Sequence, residues 1–284
     1  MDTIKSSKPK SLFVIAVIYV LASVLGIIVY LALPFPFWLA LLISDVAATV
    51  FVFIFSLVFG NASVYDPYWS VQPIVIIAAY AFSFGMTPAT LLLIISIVYW
   101  GIRLTANWAF GFGGLYHQDW RYTQLSRETG KMYPLINFAG IHMFPTLVVY
   151  SCVIPAVYVA VEGAAANIGS IIGTCVCLGA ATLQLFADMQ MHKYRKSGCK
   201  GLIRTGLWKY SRHPNYLGEI LMWWGIGIQA VSVMPARWWL LTGALVNTLM
   251  FFAVSIPMAD KRQSKKPGYA EYKAGTRSLL PLPK

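Results

Sequence analysis

The stretch from Ser11 to Leu33 runs without a single charged side chain. A helix that crosses a bilayer needs roughly 20 apolar residues. Comparable runs recur near 36–60, 71–84, 88–108, 139–162, 166–192, 217–234 and 237–258. Inside lipid each backbone polar group must be satisfied within its own segment, so such runs fold as packed helices. Charged residues make up 11% of the chain, against roughly a quarter in a soluble domain. The expected fold is all-α, a polytopic membrane bundle of seven to eight transmembrane helices. The third run is the shortest and Gly85 follows it, which is why the count is left at seven or eight. The first run follows Lys5, Lys8 and Lys10, but it is too long for a signal-peptide core and has no small-residue cleavage site, so it reads as a retained span.

Charge placement favours eight. With eight spans, both termini and the loops 61–70, 109–138 and 193–216 share one side. Every Lys and Arg except Arg237 then falls on that side, the cytoplasmic one by the positive-inside rule. The net charge of +12 is accounted for by this rule and by anionic membrane lipids, and no nucleic-acid partner is expected. The tail from Lys261 to Lys284 is basic but carries Tyr269, Tyr272, Leu279 and Leu280, the composition of a docked tail. The expected organisation is one membrane domain, with two N-terminal helices in 1–60 and a core in 61–284. Cys152, Cys175, Cys177 and Cys199 lack zinc-ligand spacing, and no metal is expected.

Four constellations carry chemistry. The richest is Arg204-Thr205-Gly206-Leu207-Trp208 running into Arg212-His213-Pro214-Asn215-Tyr216-Leu217-Gly218-Glu219. Pro214 suits the first turn of a helix, whose N-terminus is a ready anion site. Asn215 and Glu219, four apart, share a helix face. The second is Gln184, Asp188, Lys193 and Arg195, of which Gln184, Asp188 and Arg195 form one stripe. The third is Tyr65-Asp66-Pro67-Tyr68, an acid between phenols. A buried carboxyl of this kind holds its proton to higher pH and can donate it. The fourth is Trp120-Arg121-Tyr122 with Arg103 and Asn107. Beyond these, Asp260 and Arg262 follow the last span, and Asp45 and His142 lie within spans. An acid inside the membrane is functional by default, so Asp45 stands beside Asp66 as an alternative proton donor.

The segment Gly206 to Glu219, with Trp224 and Gly225, resembles the C-terminal signature of the steroid 5α-reductase superfamily. So do Ser63-Val64-Tyr65-Asp66-Pro67-Tyr68-Trp69-Ser70, Gly113 to Tyr122 and Thr129-Gly130-Lys131. Within that superfamily the pattern is similar to a domain-of-unknown-function branch labelled 3-oxo-5α-steroid 4-dehydrogenase-like. The resemblance implies an NADPH-dependent membrane reductase of a conjugated C=C bond in a steroid or lipid enone, with hydride to the β-carbon and a proton to the α-carbon. It implies a cofactor site drawn from Arg103, Trp120, Arg121, Asp188, Arg195, Arg204, Trp208, His213, Asn215, Tyr216, Glu219, Asp260, Arg262 and Tyr272, with Asp66, Tyr65 and Tyr68 at the substrate. Steroid 5α-reductases carry Gln-Glu where this chain has Tyr65-Asp66. Arg195 or Lys193 would meet the 2′-phosphate of NADPH. The substrate would be a hydrophobic small molecule entering from the lipid. The membrane would be the bacterial inner membrane or the endoplasmic reticulum.

A second reading uses the same Arg-His-Pro-x-Tyr-x-Gly core. It also resembles isoprenylcysteine carboxyl methyltransferases and phospholipid N-methyltransferases, which bind S-adenosylmethionine. Those carry Glu-Glu after the last span, where this chain reads Ala259-Asp260-Lys261-Arg262. A third reading, a transport protein, calls for inverted repeats, and the sequence displays none.

Overall fold

A computed structural model describes residues 2–284. Among them there is no β-strand, only an isolated bridge between Ser211 and Arg277. The main helices are α1 (Lys8–Ala32), α2 (Phe37–Phe59), α3 (Tyr68–Phe84), α4 (Pro88–Gly111), α5 (Trp120–Glu162), α6 (Ile168–Lys196), α7 (Pro214–Val233), α8 (Pro235–Gln263) and α9 (Tyr269–Gly275). Six of these, α1, α2, α4, α5, α6 and α8, are long and apolar enough to cross a membrane. The chain is an all-helical integral membrane protein. The runs read as third and seventh spans form α3 and α7. Helix α3 has 17 residues with Pro73 inside, about 26 Å long. Helix α7 carries Asn215, Glu219 and Gln229 along its length.

Helix α5 begins well before its expected start near residue 139. Its first turns, Trp120–Thr129, are polar and lie ahead of the apolar run. Two π-helical segments, Asn137–Met143 in α5 and Phe251–Ser255 in α8, each end two residues before a proline, Pro145 and Pro257. A proline brings no N–H to the ladder, and a π-turn is one way for a helix to absorb that loss.

The chain packs as two compact units that interleave along the sequence. Among the described residues, unit 1 comprises 2–79 and 104–150. Its core places Ile15, Ile18, Tyr19 and Ala22 of α1 against Ala48, Val52 and Phe59 of α2, with Val64, Tyr65 and Tyr68. Gly60 ends α2 in the left-handed conformation at φ 60°, which costs glycine nothing.

Unit 2 comprises residues 80–103 and 151–284. Its centre is the α6–α7 pair, packed through small residues. A methyl group on Gly173 would lie 2.7 Å from the Gly225 carbonyl oxygen, and one on Gly218 would lie 2.6 Å from that of Ala180. Apolar burial gives little drive between helices in lipid, so close backbone approach at small residues supplies the packing. That approach sets the side chains of α6 facing those of α7.

Candidate cofactor and acid sites

In unit 2, one end of the α4–α6–α7 contact holds a buried polar network. Glu219 of α7 is 5% exposed, and three donors converge on it. Trp100 Nε1–H and Gln184 Nε2–H reach Oε2 at 2.8 and 2.7 Å, and Trp223 Nε1–H reaches Oε1 at 2.9 Å. Gln184 in turn accepts from Arg103 Nη2. Arg103 Nη1 meets Asp188 Oδ2 at 2.8 Å, and Asn215 Nδ2 meets Asp188 Oδ1 at 3.3 Å. Asn215 and Glu219 thus face the same neighbouring helix, as their spacing predicted. Arg103 is 6% exposed, and its Nε–H is buried with no acceptor. A buried guanidinium donor left unpaired costs free energy and is a point where an anionic or carbonyl group would bind.

The loop before α7 is organised by local turn chemistry. Gly206 has φ 59°, and any side chain there would collide with Gln190, whose Oε1 accepts from Leu207 N–H at 2.9 Å. Trp208 is buried and donates Nε1–H to the Ala187 carbonyl at 3.0 Å. The C-terminal segment lies along this loop. Arg212 and His213 donate their backbone N–H to Arg277 and Ser278, Arg277 returns one to Tyr210, and Tyr272 Oη–H reaches the Trp208 carbonyl at 2.6 Å. Arg204, expected to face the cofactor, and Arg212 of the same segment are committed to this tail. Arg212 binds the Thr276 carbonyl at 2.8 Å and Asp260 at 3.4 Å, and Arg204 binds the Gly268 carbonyl at 2.8 Å and Glu271 at 3.3 Å. At the first turn of α7, the Tyr216 N–H turns to its neighbour's Asn215 Oδ1 at 3.1 Å.

His213 Nε2 lies 2.8 Å from Asp260 Oδ1, and its ring stacks on Tyr216 at 5.1 Å. Burial, opposed by Asp260, holds His213 below the usual histidine range. Arg195 is exposed on the last turn of α6 and does not join the Asp188 network, although it shares that helix. Burial first, then the charges of Arg262 and Arg195, push the Lys266 ammonium below its ordinary range.

In unit 1, Asp66 accepts the Tyr122 hydroxyl at 2.6 Å. Burial raises its pKa to about 6, against the lowering effects of Arg121 and Tyr122. Arg121 grips Asp119, the N-cap of α5, at 2.8 Å. Trp120 lines a hollow with Tyr116, His117 and Arg127. Trp120 and Arg121 therefore belong to the unit that holds Asp66. Tyr65 bonds Thr146 Oγ1 at 2.8 Å, Thr146 bonds Thr49 at 3.0 Å, and the Tyr65 ring lies 4.6 Å from His142. Tyr68 packs against Tyr65 and Tyr19. Asp45 is 2% exposed, with Gln72 beside its carboxylate and Tyr65 and Tyr68 close enough to interact with it.

Several contributors were not singled out as site residues from sequence. Trp100 lies one turn from Arg103 and Trp223 one turn from Glu219, and that spacing was the available signal. Tyr122 has only its place in the Trp-Arg-Tyr run. Thr49 and Thr146 carry no local signal.

A family model described as "Protein of unknown function (DUF1295)" matches residues 52–276. A curated relative, "Uncharacterized protein C594.04c" of Schizosaccharomyces pombe, is 25% identical over 217 residues. The match covers 66% of this chain and 62% of the relative, so the chain spans under two thirds of that protein's length. No solved structure matches the chain.

Proposed function

The chain belongs to the DUF1295 family, and from that premise we propose that it is an NADPH-dependent membrane reductase of the steroid 5α-reductase superfamily, acting on a conjugated C=C bond in a steroid or lipid enone. The observation that carries this reading is the unit 2 network, where a buried Arg103 keeps a free Nε–H beside Asp188, Asn215 and Glu219. These residues suit the cofactor in kind. Arg103 offers a donor to a carbonyl or phosphate oxygen, and Asp188 accepts from hydroxyl or amide groups. Arg195, Arg262 and Lys266 gather three cations, fitted to a 2′-phosphate. Bound there, NADPH would supply the hydride for the β-carbon.

The rest of the reaction falls to the chain's own residues. Asp66, held by Tyr122 and titrating near 6, carries the proton for the α-carbon, and Tyr65 and Tyr68 orient the enone oxygen. Asp45 is the other acid of the same unit. We take α3 and α7 to complete eight crossings, with both termini and the basic loops cytoplasmic, and the C-terminal tail closing over the cofactor side. The substrate reaches the site from the lipid.

The reading is tested by incubating the purified protein with NADPH and Δ4-3-ketosteroids or other lipid enones. Consumption of NADPH with saturation of the C=C bond is expected. Transfer of a methyl group from S-adenosylmethionine to a lipid acceptor, without NADPH use, would replace this reading with the methyltransferase one.

A further inference from the structure

Unit 2 contains a second feature that the reductase reading does not use. Where the tail turns back over α8, a groove of about 520 Å³ opens. Its lining combines Arg212, Lys273, Arg277 and Lys284 with Phe252 and Leu280. The Arg212 side chain, one of the lining residues, is 9% exposed and already fixed by Asp260 and the Thr276 carbonyl. Arg277 is held through Nε on the Pro283 carbonyl at 3.2 Å, which keeps the end of the tail beside it. The Lys273 side chain is more than half exposed.

The apolar lining continues along α8. Phe252 is 53% exposed on α8, one of the helices fit to span a bilayer, and Leu249 and Val254 are exposed near it. A water-soluble anion would gain from Lys273, Arg277 and Lys284 and nothing from Phe252 and Leu280. A molecule with an anionic phosphate joined to hydrocarbon matches both kinds of lining residue at once. We propose that this groove binds the headgroup of an anionic phospholipid, its phosphate among Lys273, Arg277 and Lys284 and its acyl chains along the Phe252 face of α8. The bound lipid would pin the tail against the loop 204–213. The proposal does not depend on the reductase reading.

The test uses the full chain equilibrated with vesicles of phosphatidylglycerol and phosphatidylcholine in equal parts, with retained lipid counted by native mass spectrometry. The protein should retain phosphatidylglycerol selectively. The triple substitution K273Q/R277Q/K284Q should lower that preference about a hundredfold, at roughly fivefold per cation near a surface, while K131Q, outside the groove, leaves it unchanged. Should the triple variant not fold, the unmodified protein carries the test, because its preference must then weaken steeply as salt rises. An undiminished preference in the triple variant, or indifference to salt, overturns the proposal. So does displacement of the lipid by millimolar inorganic phosphate, which would make this a free-phosphate site.

Discussion

Arg103 and Asp188 are joined at 2.8 Å by a guanidinium and a carboxylate that are 4% and 14% exposed, while the Nε–H of the same guanidinium faces no acceptor. The pair is thus both a buried structural contact and an open hydrogen-bonding site. Arg103→Ala leaves Asp188 buried without its cation and should cost about 3–5 kcal/mol. Arg103→Lys keeps the charge but loses the planar fork and the Nε–H. The lysine variant should fold and bind NADPH at least tenfold more weakly, measured by equilibrium titration. An unchanged affinity would remove Arg103 from the cofactor site.

Glu219 is satisfied by three N–H donors. Glu219→Gln replaces one acceptor oxygen with an NH2 group that must face a donor. An unsatisfied buried donor costs about 1–3 kcal/mol. Tryptophan-fluorescence unfolding should show this loss, together with a change in the Trp100 and Trp223 environment. Trp224→Phe removes a single bond to Thr248 and should cost about 1 kcal/mol.

The α6–α7 interface is tested by adding single methyl groups. Gly218→Ala and Gly173→Ala place a methyl within 3 Å of a facing backbone carbonyl oxygen, and overpacking costs typically about 1–3 kcal/mol. Both should lower thermal stability in detergent. Gly179→Ala, on the same helix as Gly173 but facing open space, should not.

Asp66 supplies a pH signature. Its folded pKa of about 6 lies above the ordinary carboxylate value, so between the two the folded chain binds more protons than the unfolded one. The stability this group contributes is present at low pH and is lost as pH rises through about 6. Its proton is lost over the same range, so turnover should fall as pH rises through about 6. Asp66→Asn should keep cofactor binding and lose turnover. If turnover and its pH limb survive in Asp66→Asn and disappear in Asp45→Asn, the proton role belongs to Asp45.

The sequence disclosed the helices because their apolar runs are long, and it disclosed the Asn215–Glu219 face because i, i+4 spacing is local. It did not disclose that Trp100 and Gln184 both donate to Glu219, since their partner lies 119 and 35 residues away. Nor did it reveal that Arg204 and Arg212 are occupied by the tail. Arginine content reads as charge, and only packing determines whether that charge is spent inside the protein. The polarity of residues Trp120 to Thr129 reads as loop, yet Asp119 caps them into the first turns of α5.

The central claim is that the unit 2 network holds a phosphorylated dinucleotide. Equilibrium binding of NADPH and of S-adenosylmethionine to the same purified protein tests it most directly. Saturable NADPH binding that Arg103→Lys weakens at least tenfold is expected, with no saturable binding of S-adenosylmethionine. Saturable S-adenosylmethionine binding in the absence of any for NADPH would contradict it.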